Sequence, residues 1–322
     1  TVEARTRRGA LLLERGDPAG ALADLDAAIL LEPRSLRSHL DRARARFGRG
    51  DLELALGDAD VAITLDPAAA EPYHLRGRVA WASGDALDAI GDFERAVDRA
   101  PERAEYRLDL VRSLMTWSID ANVHEWGRAC EHLDRVIRDV GPRPDHLALR
   151  ARCQMGMGQG EAAGRDLDAA IAADPGYLDA WVERGALRLS QARPRDARAD
   201  LERAAALGEG DVRTRRLLAY ACLDLEDVAA AILHLERALS LGAEPGRWME
   251  VPTQVGWQWF HLAAAATESG RSDLAVAALE RARDAFSPPF RGLVDQAAEV
   301  VRSGGTLPRN RPLRPVEGLG PR

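Results

Sequence analysis

Three prolines spaced by 34 residues reveal an internal repeat, and this repeat constrains the fold more than any other feature of the chain. Pro33, Pro67 and Pro101 each close a near-copy of one phrase, namely ALADLDAAILLEP, ALGDADVAITLDP and AIGDFERAVDRAP. The phrase recurs with drift over residues 2–287, which gives eight repeats starting at residues 2, 36, 70, 104, 144, 178, 212 and 256. A fixed period of this length predicts stacked copies of one small unit.

Small side chains recur at two fixed positions of the repeat. The alanine that opens the phrase is found in every repeat, at Ala21, Ala55, Ala89, Ala129, Ala163, Ala197, Ala231 and Ala275. Seven positions later stand Ala28, Ala62, Ala96, Val136, Ala170, Ala204, Ala238 and Ala282. Two helices approach closely only where side chains are small, so these positions predict helix–helix contacts.

Other positions of the repeat mark where its helices meet and end. Position 8 is small, as in Gly9 and Gly77, and position 24 carries a larger apolar residue, as in Leu25 and Phe93. Gly-Asp pairs such as Gly16-Asp17 suit a helix end, where glycine takes the left-handed conformation, followed by a cap on the next helix. The predicted unit is helix, turn, helix.

This unit resembles the tetratricopeptide repeat family, whose signature places small residues at positions 8, 20 and 27, an apolar residue at 24 and proline at 32. The resemblance implies an all-α, right-handed superhelical solenoid of antiparallel helix pairs over residues 2–287. Residues 288–303 are expected to form a capping helix, and the Pro-, Gly- and Arg-rich residues 304–322 a disordered tail.

Composition and motifs exclude several functions. The net charge of −7 disfavours general nucleic-acid binding, and no apolar run is long enough to span a bilayer. Three sparse cysteines indicate a reducing compartment, so we expect a cytoplasmic location. No phosphate loop, nucleophile elbow or metal motif occurs, hence no enzyme activity, cofactor or metal is expected. The best metal-like set, around His124 and Cys130, does not share one helix face.

A row of arginines on the first helices is the candidate partner-binding site. Position 9 is arginine in four consecutive repeats, at Arg44, Arg78, Arg112 and Arg152. Position 12 lies on the same stripe and is apolar, at Phe47, Trp81, Met115 and Met155. In proteins resembling this one, that stripe lines a concave groove. Guanidinium groups over an apolar floor predict an acidic partner.

Two alternatives concern the charges themselves. Acidic residues on the same helices, including Asp41, Glu71 and Asp109, are able to neutralise the arginine row internally. A second row at position 7, in Arg8, Arg42, Arg76, Arg150 and Arg184, is interpreted as structural, with heads reaching water. Acidic pairs such as Asp24-Asp26 and Asp58-Asp60 are interpreted as solvated helix faces.

The function predicted from these features is a protein-interaction scaffold that binds a peptide or helix. The alternative is a C-terminal regulatory or docking region of a larger bacterial enzyme, such as a serine/threonine kinase. Self-association through residues 248–259, which contain Trp248 and Trp257, is a further option. The carboxylate clamp found in some proteins of this family is absent, because Thr6, Ala10 and Asp41 stand where it needs Lys and Asn.

Overall fold

The computed structural model describes residues 1–120, 125–208, 212–225, 227–242, 260, 262–264, 266–267, 269–285 and 288–307. Within these ranges the secondary structure is helical and contains no strand. The helices are α1 (Val2–Glu14), α2 (Pro18–Leu31), α3 (Leu36–Arg49), α4 (Leu52–Leu65), α5 (Ala70–Ser83), α6 (Ala86–Arg99), α7 (Ala104–Asp120), α8 (Trp126–Val140), α9 (Pro144–Gly156), α10 (Gly160–Ala173), α11 (Leu178–Ser190), α12 (Pro194–Leu207), α13 (Val212–Asp224), α14 (Val228–Gly242), α15 (Ser272–Ala285) and α16 (Pro288–Arg302).

The two helices of a repeat run antiparallel. Arg42 on α3 binds Asp58 on α4, whereas Arg46, one turn further along α3, reaches the carbonyl oxygen of Leu54, one turn earlier on α4. Successive pairs such as α1–α2, α3–α4 and α5–α6 pack in the same way, and within each unit second helices such as α2, α4, α6, α10 and α12 also pack on the following first helix. The predicted all-α stack of helix pairs is confirmed.

The small residues lie where the helices touch, as the repeat predicts. Every member of both small-residue sets is completely buried. Position 8 faces position 24 within the pair: a Cβ added to Gly77 would lie 2.9 Å from the ring of Phe93, and one added to Gly185 would lie 2.6 Å from Leu201. Glycine is therefore required at these positions because the larger residue opposite fills the space.

The turns also follow the sequence pattern in part. Gly16, Gly50 and Gly84 have φ of 74°, 84° and 90°, the left-handed region that favours glycine. Asp17 caps α2 by accepting a hydrogen bond from the Gly20 amide at 2.9 Å. Asp51 occupies the equivalent N-cap position of α4 without a side-chain hydrogen bond.

The chain divides into two compact units, Thr1–Pro142 with α1–α8 and Arg143–Arg322 with the remaining helices. In the second unit α16 packs on α15, and Val294, Ala297 and Val301 join the core of the eighth repeat. Leu307 is buried in the same core, and its amide donates to the Thr267 hydroxyl at 3.3 Å. Packed chain thus continues into the segment assigned to the tail.

Arg8 is exposed, but the other four position-7 arginines are largely covered, so the interpretation that their heads reach water is wrong for those four. Arg42 donates to both carboxylate oxygens of Asp58 at 2.8 and 2.6 Å, and Arg76 does the same to Asp92 at 2.6 and 2.7 Å. The same two-bond pairing joins Arg8 to Asp24, Arg150 to Asp166 and Arg184 to Asp200. These pairs lock the two helices of a repeat together.

The acidic pairs on the second helices are split between two environments. Asp24 and Asp58 are 3 % exposed, so the interpretation of a solvated face is wrong for them. Asp26 and Asp60 are exposed, and each accepts a hydrogen bond from the next repeat, from Arg42 at 2.7 Å and from Arg76 at 2.6 Å. One arginine therefore bridges its own repeat and the preceding one.

Candidate partner-binding surface

The predicted arginine row begins on α3, α5 and α7 of the first unit, where neighbouring first helices pack side by side. We call the exposed side of these three helices, which carries Arg44, Phe47, Arg78, Trp81 and Arg112, the first-helix surface. Its arginines differ in how they are paired, and this difference decides which of them is available to a partner.

Arg44 and Arg112 are neutralised inside the chain. Arg44 donates to Asp41 at 2.7 Å and also binds Glu71 on the next first helix. Arg112 donates to Asp109 at 3.0 Å and is more than half exposed. The alternative of internal neutralisation therefore holds for two of the three arginines in this unit.

Arg78 is different, because its side chain is exposed and is held by an aromatic ring. Its guanidinium carbon lies 5.4 Å from the centre of the Phe47 ring, a cation–π contact from α5 to α3. Among the residues that the structure describes, Arg78 forms no ion pair with a carboxylate. The ring positions the guanidinium group while leaving its donors open to a partner.

Next to Arg78 is a cavity of about 170 Å³, which we call the central cavity. Its walls come from α3, α5, α7 and the turn before α7, and consist of Arg44, Glu71, His74, Leu75, Arg78, Arg103, Glu105 and Tyr106. Arg103 and Glu105 form no ion pair within the described part of the chain. Sequence reasoning missed Arg103 because it lies in the turn between α6 and α7 and so outside the helical stripe.

His74 fixes the floor of the central cavity. Its ring stacks on Tyr106 with centroids 4.2 Å apart, and its Nε2 lies 2.8 Å from an oxygen of Asp109. Burial alone would raise the pKa of Asp109, but the hydrogen bond and charge of His74, together with Arg112, outweigh burial and lower it. Burial raises the pKa of the Tyr106 hydroxyl.

The expected apolar floor is only partly at the surface. Phe47 and Trp81 are half-buried, so their faces are accessible beside Arg78. Met115 is 3 % exposed and belongs to the packed interior of the fourth repeat. The helical stripe gives the direction of a side chain but not how much neighbouring elements cover it, and α7 is longer than the other first helices of its unit.

The last two residues of the predicted row, Arg152 and Met155, lie in the second unit. The Nε atom of Arg152 is 4.0 Å from Glu183, a buried carboxylate that Arg213 holds with two bonds of 2.6 and 2.9 Å. Burial would raise the pKa of Glu183, but Arg213 and Arg152 outweigh it and lower that pKa. Met155 packs against the core cluster that contains Leu189.

A larger cavity of about 440 Å³, which we call the N-terminal cavity, lies between α1 and α3. Its walls are Val2, Glu3, Thr6, Arg7, Ala10, Glu32, Ser35, Arg37 and Asp41. Arg7 binds Glu3 at 2.8 Å with both side chains exposed, and Arg37 binds Asp41 at 2.8 Å. Glu32 has no ion pair among the described residues, and the sequence analysis did not single it out.

The described residues hold no group of three His, Cys, Asp or Glu side chains that could bind a metal ion. His124 of the metal-like set lies outside those residues, as do Trp248 and Trp257. Burial and nearby arginines lower the pKa of His132. Nor does any helix in the described part of the chain combine the length and apolarity that crossing a bilayer requires.

The helix pairs, the buried small residues and the glycine turns define a class of protein, the helical repeat solenoid. Comparison with known families identifies which repeat family this is. The family model described as tetratricopeptide repeat matches residues 6–70, 74–116 and 182–246, which together are more than half of the chain. The chain belongs to the tetratricopeptide repeat family. No curated protein sequence matches it.

Solved structures show the same fold at low sequence identity. A tetratricopeptide repeat protein from Parabacteroides merdae is 17% identical with a TM-score of 0.63, over 76% of this chain and 94% of that one. YrrB, described as having an unusual peptide-binding site, is 20% identical with a TM-score of 0.50, over 59% and 95%. The anaphase-promoting-complex assembly Cut9–Hcn1 matches with 14% identity and a TM-score of 0.63, over 91% of this chain and 54% of that one.

Proposed function

We propose that this protein is an interaction scaffold whose first unit binds an acidic segment of a partner protein on the first-helix surface. Tetratricopeptide repeat proteins commonly serve as protein–protein interaction scaffolds. The observation that carries the proposal is Arg78, an exposed guanidinium group positioned over Phe47 and without a carboxylate partner in the described chain.

The charges around the central cavity favour an acidic ligand. Arg44 is occupied by Asp41 and Glu71, so the groups that remain are Arg78 and Arg103 against the single carboxylate of Glu105. One positive charge is left over, which a carboxylate of the partner would neutralise. Half-buried Phe47 and Trp81 add apolar area beside it, which suits a segment with alternating acidic and apolar side chains.

The expected affinity is modest. A hydrogen bond to a charged group contributes about 1.5–3 kcal/mol, and several of them, after the cost of ordering the partner, correspond to a Kd on the order of micromolar. Because the contacts are partly exposed, added salt weakens them. An affinity that falls steeply with ionic strength would distinguish this mode from apolar docking.

The proposal is tested with the double variant R78A/R103A and a labelled synthetic peptide of alternating glutamate and leucine. We expect fluorescence anisotropy to show binding to the wild-type chain and at least a tenfold loss in the variant. The matched control is R135A/R138A, which removes two exposed arginines from α8. Equal loss in both variants, or none in R78A/R103A, contradicts the proposal, and circular dichroism checks that each variant remains helical.

A further inference from the structure

The two cavities of the first unit occupy equivalent places in the repeat. The N-terminal cavity lies between α1 and α3, the first helices of repeats 1 and 2. The central cavity lies between α5 and α7, the first helices of repeats 3 and 4, with one further wall residue, Arg44, from α3. Both use residues at positions 2, 5, 6 and 9 of one repeat together with residues at the start of the next. They are therefore two copies of one type of site, placed two repeats apart on the same side of the stack.

The charges of the two cavities are opposite. Three carboxylates line the N-terminal cavity against two guanidinium groups. Three guanidinium groups line the central cavity against two carboxylates. A single ion pair connects them, since Arg44 of the central cavity binds Asp41 of the N-terminal cavity.

The N-terminal cavity suits a basic side chain, which has an aliphatic stem and a charged head, better than a purely apolar side chain. Val2, Ala10 and the methyl group of Thr6 supply apolar wall, over which the stem of a lysine or arginine can lie. Glu32 supplies a carboxylate that no cation of the described chain occupies. Both side chains of the Arg7–Glu3 pair are exposed, so the pair is weak. An incoming cation can therefore compete for Glu3.

We propose that the bound segment is dipolar, with a basic side chain in the N-terminal cavity and an acidic one in the central cavity. This inference rests on the proposed function, because it extends the acidic site by a second contact. Neighbouring packed helices lie about 8–10 Å apart, so sites two repeats apart are separated by roughly 20 Å. An extended chain covers about 3.3 Å per residue, so the two charges should be about six residues apart.

The test uses three synthetic peptides of the same length. The first carries lysine and glutamate at the matching separation, the second has leucine in place of the lysine, and the third has the lysine beside the glutamate. We expect the first to bind about two- to fivefold more tightly than the others, as for a partly exposed ion pair. In E32Q this preference should disappear, whereas E53Q, which alters an exposed glutamate on α4, should retain it.

The outcomes separate the two proposals. Equal binding of the first two peptides, or a lysine preference that survives in E32Q, overturns the dipolar partner. If glutamate-dependent binding is still lost in R78A/R103A, the acidic site stands without the second contact. Failure of all three peptides to bind the wild-type chain overturns both proposals. A preference for the adjacent-charge peptide also contradicts the inference, because one cavity then accounts for both charges.

Discussion

A single missing methyl group sets how closely the helices of a repeat approach. At Gly77 the space that a Cβ would occupy is taken by the ring of Phe93 at 2.9 Å and by the carbonyl oxygen of Ala89 at 3.2 Å. The ring is rigid and 2 % exposed, so it has nowhere to move. Gly57, by contrast, is also in a helix, but apart from its sequence neighbours and its own helix backbone no atom lies within 4 Å of its missing Cβ.

We therefore expect opposite effects from the same substitution at these two positions. G77A should lower the free energy of unfolding by about 1–3 kcal/mol, because overpacking forces the helices apart. G57A should raise it by about 0.4–1 kcal/mol, since alanine reduces the freedom of the unfolded chain. Urea denaturation followed by circular dichroism measures both. A destabilised G57A, or a G77A as stable as the wild type, would contradict this account.

The residue pattern explains why packing was predictable while the charged contacts were not. A small residue that recurs every 34 positions is explained by close helix packing, so Ala21 and Gly9 could be assigned to helix–helix contacts from the sequence. The Arg42–Asp58 pair spans 16 residues across a turn, where helical periodicity no longer relates side chains. Pairing could have been suspected only from the recurrence of the same Arg and Asp spacing in five repeats.

At the scale of helices, an arginine at position 7 can link three helices by ion pairs. Arg42 on α3 binds buried Asp58 on α4 and exposed Asp26 on α2, and its own side chain is 17% exposed. Arg46 adds a further bond to Asp58 at 2.7 Å. Asp58 therefore balances two guanidinium groups inside one helix pair, whereas Asp60, two residues later, contributes only an exposed contact.

This difference predicts unequal effects of removing one negative charge. D58N should lower the free energy of unfolding by about 2–4 kcal/mol, since the largely buried guanidinium group of Arg42 then keeps only its exposed partner Asp26. D60N should cost at most about 1 kcal/mol, as exposed ion pairs do. Chemical denaturation of both variants is the measurement. Similar stabilities for the two would show that the buried pairs contribute no more than surface ones.

At the scale of the whole molecule, stability depends on carboxylates in both units. The hydrogen bond from Arg8 holds the pKa of Asp24 below its ordinary value, and the pKa values of Asp109 and Glu183 are also lowered. A carboxylate with a lowered pKa binds protons more readily in the unfolded chain. Its contribution is therefore complete above its unfolded pKa, about 4 for these side chains, and is lost as the pH falls through the folded value.

Denaturation midpoints should accordingly be constant from neutral pH down to about pH 5 and fall steeply below about pH 4. The matched control is D24N, which lacks one of the carboxylates with a lowered pKa and should show a shallower decline. Urea titrations across this pH range test the expectation. A midpoint that stays flat to pH 3 would mean that the buried ion pairs do not contribute to stability.

The function of the whole molecule was less accessible from the sequence than its fold. The repeat placed Arg78 and Phe47 on the same stripe of neighbouring first helices, and the two side chains are in contact there. Neutralisation by Glu71 was one alternative, but the repeat did not decide that Glu71 binds Arg44, because their pairing depends on the distance between repeats. Arg103 was missed for the same reason, since a turn residue reaches the cavity only once the helices are stacked.

The bridging arginines have a consequence for how such a chain can change its number of repeats. Excising residues 36–69 would bring Asp26 opposite Arg76, so the junction would be restored with the same chemistry. The fourth, seventh and eighth repeats have Leu110, Leu218 and Leu262 at that position and offer no such replacement. The second and third repeats can therefore replace one another without loss of the arginine bridge at the junction. A duplication or loss that places the fourth, seventh or eighth repeat at a new junction leaves that junction without the bridge.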